Sequence, residues 1–381
     1  MRLVDQICKN VWITFRRCFG GEPAIPDRVA ASGARYLHVL PAVALPESID
    51  RRIKHALARR EVISERYAMR YRSGFLINFG LGVVAVAAAA AALPLVLPEE
   101  FAHAYGWACT VLEAVCILCI LFVYMLGREH AGAHRTSDAG RGARAHACTK
   151  RPFRAWLARH GLALDQAWRR KWVTNRVLTE QLRYAGLLLA LPGGPVDVQP
   201  LSGAFLDKRF TDPFIDWYRG IAGAVPKTRV SAEGVTHYCA YSLAIIDQQR
   251  IYHAINAARC ERIHHRLHRI AFRCFLATIA ICLAHFFWHS PWLSFFAVML
   301  PTVAAACHGI VSAGEFATLH QQSEEMCEEL TVLRDQIAGI GANGEPGAEQ
   351  LHNAIQAFYR LVTGEAAGWH VALRTKDIHA G

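Results

Sequence analysis

Two uninterrupted apolar stretches organise the first third of the chain. Gly74 to Pro98 reads GFLINFGLGVVAVAAAAAALPLVLP, and no charged side chain occurs between Arg72 and Glu99. A helix needs about 20 apolar residues to cross a hydrocarbon core of about 30 Å, so this run predicts a first span at about 74–97. Trp107 to Leu126 is the second run, with Glu113 as its only charge, and predicts a span at about 106–127. Glu99, Glu100 and His103 sit in the short link, so the two spans form a transmembrane hairpin. Gly74, Gly80, Gly82 and the run Ala87–Ala92 give the first span a small-residue surface on which another helix can pack closely.

The pattern recurs downstream. From about Ser231 helical periodicity runs unbroken to His289, polar in its first part and apolar from Cys274 onward. A third span at about 270–288 follows, with Arg273 snorkelling at its inner edge. Trp288 to Trp292 (WHSPW) makes a tight turn flanked by tryptophans, as at a membrane interface. The fourth span, about 292–313, carries Pro301, where a kink is expected.

Outside the spans the periodicity is that of amphipathic helices. Leu3, Ile7, Val11, Phe15 and Phe19 fall four apart; a helix lying on an anionic membrane surface and the edge of a small soluble domain both fit. Arg35 to Leu40 has strand-like content. Pro46 opens a basic helix with Ile49, Ile53, Leu57, Tyr67 and Tyr71 on its stripe. Asp165 to Leu189 predicts a strongly amphipathic helix. After the fourth span, Phe316, Leu319, Ser323, Met326, Leu330, Leu333, Ile337 and Ile340 keep a three-four spacing. That is an a/d seam predicting coiled-coil packing, against the helix before the third span or against another subunit. A last helix, Glu349 to Ala372, presents Leu351, Ile355, Phe358, Val362 and Trp369.

The fold class is therefore an all-α integral membrane protein: four transmembrane helices as two hairpins, with long cytosolic helices and a coiled-coil extension. Its expected parts are a short N-terminal cytosolic segment (1–45), a basic helix with the first hairpin (46–127), and a cytosolic linker with an amphipathic helix (128–230). A long helix with the second hairpin (231–313) and a cytosolic coiled coil with a C-terminal helix (314–381) complete it.

Composition agrees. Of 381 residues 53% are hydrophobic and the mean hydropathy is +0.17, too apolar for an ordinary soluble enzyme and too charged for a wholly embedded transporter. The formal charge is +11, and 35 of the 42 basic residues are arginine. Arginine-rich faces suit phosphate, from lipid head groups or nucleotides; arginine codons favoured by a GC-rich genome explain the count equally well. Lys and Arg number 14 before Gly74, 24 from Arg128 to Arg273 and 4 after Ala313, with none in either inter-span turn. The positive-inside rule places both termini and the long central region in the cytoplasm of a cell inner (plasma) membrane. No continuous apolar core resembling a cleavable signal peptide opens the sequence.

Chemistry-bearing motifs are few. The 12 cysteines are scattered, several within apolar runs, which reads as small-residue packing. His130, His134, His146 and Cys148 lie in a Gly-, Ala- and Arg-rich linker with no fold to hold a metal. His264, His265 and His268 read as a pH-sensitive patch rather than a metal site, because no suitable carboxylate follows them. With no H-E-x-x-H, P-loop or G-x-S-x-G motif, neither an enzyme nor a cofactor is expected. Nucleic acid is not expected either, since topology and anionic lipid already account for the positive charge. The polar residues expected inside the spans, for a pore or for packing, are Glu113, Thr278, His285, Thr302 and His308, with Glu113 and His285 close enough in depth to pair.

One motif carries a resemblance. The helix KWVTNRVLTEQLR follows two spans and holds W-x3-R-x3-E-x2-R at Trp172, Arg176, Glu180 and Arg183. It resembles the SLATT (SLOG- and SMODS-associated transmembrane) effector-like membrane proteins of bacteria, mainly over residues 60–190. The resemblance implies a pore-forming or membrane-perturbing effector of antiviral defence with a nucleotide-sensing or nucleotide-producing protein partner, and a homo-oligomer in the lipid bilayer is expected. The chain departs from that pattern in showing no sensor domain in residues 1–60. A constitutive ion channel or transporter and a membrane-anchored signalling scaffold are the alternatives.

Overall fold

A computed structural model describes residues 2–21, 45–92, 99–127, 168–198, 208–225, 230–340 and 345–374. Among the described residues there are helices and no strand. The strand expected at 35–40, the linker at 128–162 and its histidines lie outside them.

Helix α1 (Arg2–Phe15) continues as a π-helical turn, Arg16–Gly20. Then come α2 (Glu47–Ala91), α3 (Glu99–Gly127), α4 (Trp168–Leu189) and α5 (Lys208–Ala222). The chain continues with α6 (Ala232–Phe287), α7 (Pro291–Gly314), α8 (Phe316–Ala338) and α9 (Glu345–Arg374). Local chemistry sets the starts. Glu47 and Asp50 occupy the first turn of α2, where carboxylates offset the helix dipole, and pair with Arg51 and Lys54 one turn on. Ser231 caps α6 by accepting the Gly234 N–H at 3.0 Å. Pro291 opens α7, where its missing N–H costs nothing.

Four helices are long and apolar enough to cross a membrane: α2, α3, α6 and the α7–α8 pair. Two are far longer than a bilayer requires. At about 1.5 Å per residue α2 extends about 68 Å and α6 about 84 Å, so each joins an extramembrane half to a spanning half without a break. The fourth differs: Glu315, at φ 51°, separates α7 from α8. A left-handed glutamate is uncommon, and it puts a bend between α7 and α8.

Packing follows the same division. The spanning parts lie in the order α3, α2, α7, α6, each touching its neighbour. Their large side chains face outward: Leu118, Phe272, Phe275 and Leu283 are exposed, and Phe286 and Phe287 at the end of α6 are 80% and 88% exposed. A belt of this extent is the surface lipid covers. Phe79 of α2 sits directly on the backbone of Gly309 in α7, where an added methyl would come within 2.2 Å of the ring.

The extramembrane helices close around a large core formed by Leu188 of α4, Tyr218 of α5, Ile246 of α6, Leu330 of α8 and Phe358 of α9. A second core joins Trp12 and Phe15 to Phe75, Ile263, Cys307 and Phe316. Helix α8 runs antiparallel along α6. Asn256 donates to Ser323 at 2.8 Å, Arg250 to Thr331 at 3.0 Å and Arg334 to Asp247 at 3.0 Å. Of the expected seam, Phe316, Met326, Leu330, Leu333 and Ile337 are buried and Leu319 is partly so.

Two local expectations change. The apolar face of α1 is Cys8, Trp12 and Phe15, while Ile7 is exposed; alternating steps of four and three follow the helix more closely than the strict four-residue stripe. Asp5 bonds Arg70 of α2 at 2.7 Å and lies 3.6 Å from Arg66, so α1 docks on α2. Helix α4 is buried on nearly all sides, not amphipathic in its surroundings. Its polar face is enclosed because α2 supplies charges to match it.

Candidate functional site

The spanning and extramembrane halves meet at a cleft that draws on six segments. Trp12 and Arg16 come from α1 and its π-turn, Arg72 from α2, Trp172 from α4, and Asn256 and Arg259 from α6; the α7–α8 bend at Gly314 and Phe316 closes it. The cleft is open to solvent on one side. Arg72 stands two residues before the apolar run, and its guanidinium centre lies 5.0 Å from the Trp12 ring and 4.8 Å from the Trp172 ring. Such contacts stabilise a desolvated cation by about 2 kcal/mol. Burial still pulls Arg72 below the usual arginine range, as do the charges of Arg176 and Arg16.

Of the four motif residues, Trp172 and Arg183 meet α2, Glu180 links Arg183 to Arg176, and Arg176 lies 6.0 Å from the Tyr252 ring of α6. Trp172 is buried and packs on Tyr71, ring centroids 5.7 Å apart. Glu180 is buried between two arginines: Arg176 at 2.7 Å and Arg183 at 2.9 Å to each carboxylate oxygen. Arg183 continues to Glu61 of α2 at 2.8 Å. Asn175 adds an acceptor for Arg60 at 3.0 Å. These residues form a charge ladder that fixes α4 to the extramembrane half of α2. Beside it His253 is buried, and burial together with Arg176 holds its pKa down at about 4.

The intramembrane polar residues are dispersed. Thr278 and Thr302 donate to carbonyls of their own helices, Cys274 and Val298, both at 2.8 Å, so neither hydroxyl seeks a partner across the bundle. Glu113 is half-buried, on the face of α3 that also holds Cys109 and Cys116. Glu113 and His285, close enough in depth to pair, do not pair among the described residues, because α3 packs on α2 while α6 packs on α7. His285 lies instead against His289, 5.3 Å between rings. His308 joins a different group: His264 stacks on His268 at 4.4 Å, and His268 meets His308 edge-on at 5.0 Å. Burial and the neighbouring imidazoles hold His264 below the usual range. Among the described residues no group of histidines, cysteines and carboxylates could hold a metal.

Two features escaped the sequence reading. Asn78, beside Phe79 in α2, is buried with neither amide atom hydrogen-bonded, a polar residue inside the first span. The convergence of Arg16, Arg72 and Arg259 has no local signature, because the three come from separate helices and each reads alone as a residue flanking a span. Comparison with known protein families, with curated proteins and with solved structures gives no match to this chain.

Proposed function

We propose that the protein is an integral membrane effector of bacterial defence, which perturbs the membrane, by forming a pore, when its cytosolic helices receive a signal. One observation carries this reading. Helices α2 and α6 pass unbroken from the packed extramembrane cores into the spanning bundle, so a shift in the first part must move the second. The bundle is also incomplete in a way that suits assembly: α3 rests on α2 and leaves Val111, Val115, Ile117 and Leu118 exposed. Assembly of α3 against another copy through this face, with a turn of α3 that carries Glu113 from the Cys109–Cys116 face toward the shared axis, would open a polar path.

In this reading both termini and the extramembrane helices are cytoplasmic, the two pairs of spans are hairpins, and α6 with α8 forms the coiled-coil extension. The resemblance of the Trp172–Arg183 helix to SLATT effectors supports a defence role and a nucleotide-sensing or nucleotide-producing partner. The intrahelical bonds of Thr278 and Thr302, and the separation of Glu113 from His285, favour a closed resting state over a constitutive channel. Purified protein in potassium-loaded liposomes tests the proposal. Efflux that rises more steeply than linearly with protein density supports assembly of a pore. Vesicles that stay tight at every density, with nucleotides and candidate partner proteins added, contradict it.

A further inference from the structure

We propose that the cleft between α1, α2, α4 and α6 binds a phosphate-bearing anion, recognised by Arg16, Arg72 and Arg259. The three side chains reach one cavity from three separate segments. What sets them apart is the absence of counter-ions. Arg70, two residues from Arg72, is held by Asp5; Arg176 and Arg183 share Glu180; Arg262 and Arg266 donate to the backbone carbonyls of Gly20 and Cys18. Among the described residues Arg16, Arg72 and Arg259 pair with no carboxylate, and the Arg259 Nε–H is buried without an acceptor.

The geometry of Arg72 is that of a donor kept ready. Trp12 and Trp172 hold the guanidinium centre 5.0 and 4.8 Å from their rings. Ring contacts of this kind leave the N–H donors without oxygen acceptors, and a guanidinium can offer them in pairs to one anion. The surroundings add charge of the same sign: burial and the Arg16 charge both disfavour protonated Arg259. An anion in the cleft would relieve that repulsion and supply acceptors to donors that water reaches poorly.

Phosphate fits this set better than carboxylate. A phosphate monoester carries about −1.5 to −2 charges and three strong acceptor oxygens, matching three converging cations, whereas a carboxylate offers one charge and two oxygens. The cleft stands at the edge of the apolar run, so the phosphate could belong to a free solute or to a lipid head group. The chemistry is the same for both, and binding does not depend on whether the spans conduct.

The test uses the full chain in phosphatidylcholine nanodiscs titrated with inorganic pyrophosphate by calorimetry, and thermal unfolding in detergent with added phosphatidylglycerol or phosphatidylcholine. Arg259→Gln and Arg16→Gln are compared with Arg334→Gln, whose side chain pairs with Asp247 on a distant surface. Arg16 is exposed, so its variant keeps the fold even if a change at the buried donor does not. Loss of one charge-assisted bond should weaken binding by about tenfold or more. Pyrophosphate binding weakened in the two cleft variants, and not in Arg334→Gln, supports the site and assigns a free phosphate. Stabilisation by phosphatidylglycerol alone, lost in the same variants, supports it and assigns a lipid. Absence of both effects, or effects equal in all three variants, overturns it.

Discussion

Arg183 donates to Glu61 at 2.8 Å, joining residues 122 positions apart, and the same guanidinium holds both oxygens of Glu180. The two carboxylates are not equivalent. Glu180 is 3% exposed and Glu61 is 45% exposed. Removing the charge of Glu180 takes its carboxylate from Arg176 and leaves Arg183 with Glu61 alone in a closed helix contact, which costs about 3–5 kcal/mol. Removing that of Glu61 leaves Arg183 still paired and costs at most about 1 kcal/mol. Thermal unfolding of Glu180→Gln and Glu61→Gln should show this asymmetry; equal losses would mean the ladder does not hold α4.

Phe79 and Gly309 fix the contact between α2 and α7. A methyl at Gly309 would lie 2.2 Å from the Phe79 ring, so Gly309→Ala should destabilise by about 1–3 kcal/mol. Phe79→Leu in the same chain should recover part of that loss. A Gly309→Ala protein that melts unchanged would show the ring is not seated there.

His253 gives the protein an acid limit. Its folded pKa is about 4 against 6.5 for the free side chain, so below pH 6.5 the unfolded chain takes up a proton that the folded chain refuses. The stability from this site is full above pH 6.5 and falls as pH drops, being lost by about pH 4. Over that window the loss is about 3 kcal/mol. His253→Leu should flatten this limb of a melting-temperature profile, and an unchanged slope would assign it to other groups.

Orientation is open to direct labelling. Cys18 is exposed beside the extramembrane helices, which the proposal puts in the cytoplasm. A membrane-impermeant maleimide should leave Cys18 unmodified in intact cells and modify it in inverted vesicles, read by peptide mass spectrometry. The opposite pattern would invert the topology.

The spans were legible because lipid imposes a simple demand: a run of about 20 apolar residues, which Gly74–Leu97 meets without interruption. The seam on α8 was legible for a similar reason, since Met326, Leu330, Leu333 and Ile337 recur at helical spacing. The amphipathic pattern of α4 was legible, but not its burial on nearly all sides, because Arg60 and Glu61, which meet Asn175 and Arg183, come from α2. Arg72 was legible only as a charge flanking a span; its role in the cleft depends on Trp12 and Trp172, which periodicity in one segment cannot bring together. The α7–α8 bend was hidden too, since nothing about Glu315 in the sequence marks a left-handed residue.

Membrane potential during controlled expression, followed with a potential-sensitive dye, tests the effector reading most directly. The chain is expressed alone and beside the products of its neighbouring genes, at equal levels in the membrane fraction. The account predicts that potential is held when the chain is alone and collapses when a signalling partner is present. Potential held in both cases, or lost equally in both, would contradict it.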